Sequence, residues 1–75
     1  MSPDQCRAAR AFLSWSQQDL ARRAKVGLST LRDFEARRRK PIPNNLAAIK
    51  SALEAAGIEF INGDGPGVRL RKKKR

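Results

Sequence analysis

The chain has no histidine, no tyrosine, one cysteine and one tryptophan. Without histidine, and with Cys6 alone, neither the common metal-ligand sets nor the common nucleophile and general-base pairings can be assembled. The sequence therefore does not read as an enzyme and calls for no metal or cofactor. A single cysteine cannot close an internal disulfide, which fits a reducing compartment. Cys6 reads as a small apolar residue on the buried side of a first helix, with no base near it in sequence to activate the thiol. No apolar run is long enough to span a bilayer and no signal peptide opens the chain, so a cytoplasmic location is expected and no membrane partner. Acidic residues are also scarce, 7 Asp and Glu against 17 Lys and Arg, for a net charge of +10. Such an excess calls for a polyanionic partner, nucleic acid first and an anionic membrane surface second. Seventy-five residues make one domain with a modest core.

The charge is unevenly spread. Residues 1–36 carry six basic and four acidic side chains, and residues 37–75 carry eleven and three. Much of the excess lies in Arg37-Arg38-Arg39-Lys40 and in Arg71-Lys72-Lys73-Lys74-Arg75. The last four residues, 72–75, read as a disordered basic tail, either simply solvated or drawn to phosphate.

Apolar spacing predicts four helices. The first runs from Pro3 to Ser14, with Ser2 as cap, Pro3 at the first helical position, Asp4 at the positive end of the dipole, and Cys6, Ala9 and Leu13 facing inward. Trp15 is expected to lean on the corner between the first and second helices. The second helix spans Gln17–Ala24, capped by Ser16 with Asp19 three residues on. Gln17 and Gln18 in its first turn are either ordinary solvated amides or phosphate contacts made together with free backbone N–H groups. The third spans Leu28–Arg37, with Leu31 and Phe34 inward and Leu28, Ser29, Arg32, Asp33 and Ala36 outward or marginal. Leu28 has two open readings, packing on the second helix or meeting a thymine methyl. Pro41-Ile42-Pro43 breaks the chain before a fourth helix over Pro43–Ala56, whose buried stripe is Leu46, Ile49 and Leu53, with Ala47, Ala52 and Ala56 permitting close approach. Gly57 stands where a left-handed cap belongs. Residues 58–61 and 68–71, separated by a loop rich in glycine, give a hairpin signal. A lone hairpin is marginal in water, so this one must pack on the helices or pair its edge with a second copy.

The second and third helices, joined by a tight turn, carry Ser16-Gln17-x-x-Leu20-Ala21, then Val26, then Ser29-Thr30-Leu31-x-x-Phe34-Glu35. This pattern resembles the lambda-repressor/Cro-type helix-turn-helix family, also called the XRE family, over residues 5–57. Pro41-Ile42-Pro43-Asn44-Asn45-Leu46-Ala47-Ala48-Ile49, then Gly57-Ile58-Glu59-Phe60-Ile61, then Gly67-Val68-Arg69-Leu70-Arg71 is similar to a group of small bacterial transcriptional regulators with a hairpin after the fourth helix. The resemblance implies a four-helix DNA-binding domain over 1–57 followed by a hairpin over 58–71, with double-stranded DNA as partner. The fifth helix that many relatives use for dimerisation is missing, and the alternating Val68-Arg69-Leu70-Arg71 strand makes the hairpin a candidate to join two copies edge to edge instead. It implies that the third helix enters the major groove, with Leu28, Ser29, Arg32 and Asp33 at base-reading positions. Arg32 suits guanine; Asp33 suits a cytosine amine, or else orients Arg32. Gln17 falls on the family's phosphate-clamping glutamine, with Gln18 beside it, while Arg37, Arg38, Arg39 and Lys40, with Asn44 and Asn45, are expected to track the backbone. Arg10 and Glu35 fall on positions that form an ion pair between the first and third helices.

Two departures stand out. Lys25 replaces the usual glycine of the inter-helix turn, at a cost of about 1–2 kcal/mol if the backbone there is left-handed. Gly27 replaces the usual Ser or Thr at the start of the third helix. Function then divides between a homodimeric repressor on a palindromic operator and the antitoxin of a toxin–antitoxin pair, which binds a toxin protein and autoregulates its operon. The basic tail also permits non-specific RNA binding, but an RNA module with stacking aromatics is not seen.

Overall fold

The computed structural model describes residues 1–63 and 65–71. Four helices, α1 (Pro3–Leu13), α2 (Gln17–Ala24), α3 (Leu28–Glu35) and α4 (Pro43–Ala55), precede an antiparallel hairpin of β1 (Ile58–Ile61) and β2 (Gly67–Leu70). The mainly helical architecture with a C-terminal hairpin is as expected; the basic tail, 72–75, lies outside the described residues. No helix among the described residues is long and apolar enough to cross a membrane.

Both first helices open on reciprocal caps. The Ser2 hydroxyl accepts from the Gln5 N–H at 3.1 Å, and the Gln5 side chain accepts from the Ser2 N–H at 2.9 Å. Ser16 and Asp19 repeat the arrangement at 3.0 Å in each direction. These boxes satisfy N–H groups that the helical ladder leaves free. The ends fall slightly earlier than expected. Ser14 turns left-handed (φ 58°), which stops α1 at Leu13. Arg37 does so at φ 61°, and the Arg38 N–H folds back onto the Asp33 carbonyl at 2.8 Å, so α3 stops at Glu35 rather than Arg37. α4 stops at Ala55, one residue short of the expected Ala56, and Gly57 takes φ 105°, a conformation that favours glycine.

One core joins all of these elements. Cys6, Ala9, Leu20, Leu31, Ile49, Leu53 and Ile58 are its fully enclosed members. Leu46 flanks it from α4, together with Ala48 and Ala52. Ala47, expected at a close approach, is exposed: it lies off the buried stripe of Ile49 and Leu53. The hairpin packs on the helices, β2 along α1 and β1 against α4. β2 starts at Gly67, one residue before the expected Val68, because Gly67 pairs with Ile61, Val68 with Phe60 and Leu70 with Ile58. Past the strand, the Arg71 N–H donates to the Gly57 carbonyl at 2.6 Å. The buried Gln5 side chain pins the loop end of the hairpin, donating to the carbonyls of Ile61 at 3.3 Å and Gly67 at 2.9 Å. Trp15 does not sit in the α1–α2 corner alone. Its ring packs against the core beside Ala52 and Ala55 of α4 and Ala56 just after it, under the Arg23 guanidinium at 4.4 Å. Arg10 fixes the local backbone by donating to the Trp15 carbonyl at 3.1 Å.

Candidate nucleic-acid interface

Three residues, Lys25 to Gly27, join α2 to α3. Lys25 is left-handed (φ 59°, ψ 43°), as the turn requires, and the Val26 N–H returns to the Ala21 carbonyl at 3.0 Å. Gly27 is extended and gives α3 no side-chain cap. The corner is closed from inside by Leu20, Ala21, Leu31 and Phe34, which are buried, and by Val26, which packs against them.

Behind α3 lies a polar node. Glu35, 2% exposed, receives Arg10 in a two-point contact, Nε to Oε2 at 2.8 Å and Nη2 to Oε1 at 2.7 Å. The expected ion pair between α1 and α3 is present. Gln17 Nε2 donates to Glu35 Oε1 at 2.9 Å and the Cys6 thiol to Oε2 at 3.1 Å. Arg7 ties the same residue through its main-chain carbonyl at 3.1 Å. Burial alone pushes the Glu35 carboxyl upward, but hydrogen bonds from Arg10, Gln17 and Cys6 outweigh it and hold the group below its ordinary value. The hydrogen bond to Glu35 pushes Arg10 up. Burial, reinforced by the bond to Glu35, pushes the Cys6 thiol well up, so Cys6 is a protonated donor in the core.

The outer side of α3 is polar. Ser29 and Arg32 are exposed, Thr30 and Asp33 half-buried. Arg32 has no ion-pair partner among the described residues, so its guanidinium is free for an acceptor pair. Leu28 is half-buried and packs against the core, which is the packing side of its two readings. Asp33 does not orient Arg32; its carboxylate lies 4.0 Å from Arg38 Nη1, because the turn after α3 brings Arg38 back over it. Gln17 departs from its expected role as a clamp: its amide nitrogen is turned inward to the buried Glu35, which needs that donor, while neighbouring Gln18 is exposed. The first-turn N–H groups of α2 remain ahead of the helical ladder.

Beyond α3, Arg37, Arg38, Arg39 and Lys40 are all exposed. Arg37 pairs with Asp4 of α1 at 2.9 Å, and Asp4 also binds Arg7. Arg39 and Lys40 have no ion-pair partner among the described residues. α4 starts without a side-chain cap, so Asn44 and Asn45 sit where N–H groups are unclaimed by the ladder. A concavity of about 250 Å³ is walled by Ser29, Thr30 and Asp33 from α3 and by Lys40, Ile42 and Asn45 from the next segment. The fold thus brings two of the four expected base-reading residues beside members of the expected phosphate-contacting group. Gln17 and Gln18 stand apart from that concavity, at the start of α2.

No protein-family model matches the chain, and no curated protein matches it.

Sequence reasoning missed several contributors. Gln5 joins α1 to the hairpin, Cys6 and Arg7 complete the Glu35 node, and Asp4 holds Arg37. Two signals were available: Ser2-x-x-Gln5 is a capping-box pattern, and Gln5 lies four residues before Ala9 on the buried stripe, where an amide needs partners.

Proposed function

We propose that this chain is a lambda-repressor/Cro-type transcriptional regulator that binds double-stranded DNA in a sequence-specific way and acts as a repressor. The observation that carries the reading is the outer side of α3. It holds Arg32, without an ion-pair partner among the described residues, beside Ser29 and Asp33, it is locked from behind through Glu35, and it runs directly into four consecutive cations. α3 enters the major groove, where the Arg32 fork matches the two acceptors on a guanine edge. Ser29 takes a base edge or a phosphate, Asp33 takes a cytosine amine, and Leu28 presents its unburied side. Arg37 to Lys40, Gln18, Asn44 and Asn45 hold phosphates, and Gln17, whose side chain is committed to Glu35, offers only its main-chain N–H in the first turn of α2. The pairs Arg37–Asp4 and Arg38–Asp33 are exposed, and exposed pairs are weak, so phosphate can displace the carboxylates. Two copies joined through their hairpins set two α3 helices about 34 Å apart, one DNA turn.

The test separates reading from anchoring. Arg32→Ala is expected to cost about 1–3 kcal/mol on the preferred duplex and to relax one base position, while Arg39→Ala weakens all duplexes alike and reduces the salt slope by about one. Equal, sequence-independent losses for both variants would contradict the assignment of α3.

A further inference from the structure

Resting on the DNA-binding reading above, we infer that Ile42 is a specificity contact, an apolar side chain that meets a thymine methyl beside the bases read by α3. Ile42 is the most exposed large apolar residue among those described, 61% against 52% for Phe12, 45% for Leu70 and 41% for Ile61. It is also held unusually firmly. Pro41 and Pro43 flank it, its backbone is extended at φ −62° and ψ 154°, and its carbonyl accepts the Leu46 N–H at 3.0 Å as α4 begins. A residue before proline is confined to this region, and a β-branched side chain is stiff at χ1. The side chain is therefore presented to solvent with little conformational freedom to lose on contact.

Its surroundings select the occupant. Ile42 shares the 250 Å³ concavity with Ser29 and Asp33 of α3, so a base edge met by either of those two residues lies beside it. Arg39 and Lys40 line the same concavity. A second copy brought against Ile42 by symmetry would set like cations against like, whereas a polyanion is drawn to them. Within duplex DNA, the apolar group offered in the major groove is the C5-methyl of thymine. The hydroxyl of Ser29 and the carboxylate of Asp33 cannot serve that group, and Ile42 supplies what they lack.

The experiment is a protein–DNA cycle. Duplexes are selected with the intact wild-type chain, and each thymine of the selected site is replaced by deoxyuridine, which removes the methyl alone. Affinities are measured for wild type, Ile42→Ala and Ile42→Val. At one thymine the replacement is expected to raise the wild-type Kd about threefold to tenfold, the scale of burying one or two methyl groups. The same replacement is expected to change the Ile42→Ala Kd less than twofold, with Ile42→Val between. The salt slope and thermal midpoint stay the same in all three chains, since Ile42 carries no charge and little burial. A selected site with no thymine coupled to Ile42 overturns the inference while leaving DNA reading intact. Loss of cooperativity between half-sites, with each half-site and its thymines unaffected, overturns it in favour of a contact between copies. A wild type that selects no site removes both this inference and the reading beneath it.

Discussion

At the residue scale, Glu35 is the point on which the arrangement turns. It is a buried carboxylate with two donors from Arg10, one from Gln17 and one from Cys6. Removing one charge of such a pair strands the other, so Arg10→Met or Glu35→Leu alone is expected to cost about 3–5 kcal/mol. The double variant is expected to recover a large part of that loss. Urea unfolding of the four chains measures the coupling, and additive losses would contradict the assignment. The pH dependence has a definite sign. Because the folded Glu35 sits below its ordinary value, its stabilisation is complete above the ordinary carboxyl range and is lost as pH falls through the folded value. Glu35→Gln is therefore expected to flatten the acid limb of the stability curve while lowering its neutral plateau. The pair itself was legible through family spacing. The inward turn of Gln17 and the Cys6 thiol were not, because a hydrogen bond across three helices leaves no periodic trace in sequence.

At the scale of elements, what was legible was what local chemistry controls. Capping serines, Pro3, the apolar stripes and Gly57 placed four helices and a hairpin within a residue or two. The misses share a cause: helix ends and strand register depend on partners far along the chain. α3 ends early because Arg37 turns left-handed and Arg38 returns to Asp33, and β2 starts early because Gly67 pairs with Ile61. Lys25 is a departure whose consequence can be measured. Its left-handed backbone predicts that Lys25→Gly stabilises the chain, by about 1 kcal/mol after the extra freedom of glycine in the unfolded state is counted. A loss of stability on chemical unfolding would show that the lysine stem makes a compensating contact. Gln5 governs the hairpin. Gln5→Ala removes the donor to Ile61 and Gly67 and is expected to cost about 1–2 kcal/mol. Amide exchange would show the excess opening concentrated in residues 58–61 and 67–70; a uniform increase over all helices would contradict the pinning role.

At the scale of the whole molecule, charge and shape have separate jobs. The net charge of +10 supplies attraction to any polyanion and makes affinity fall steeply with salt. It carries no sequence information. On the proposed reading, selectivity comes from the few side chains that α3 and the following segment present, with the Glu35 node behind α3 and the two prolines around Ile42 holding them in place. The most direct test is selection of bound duplexes from a random pool at about 0.15 M salt, where generic attraction is already weak. The account predicts an enriched palindrome, with a guanine column that disappears in the Arg32→Ala chain. Recovery of no motif, with binding that simply fades as salt rises, would contradict it.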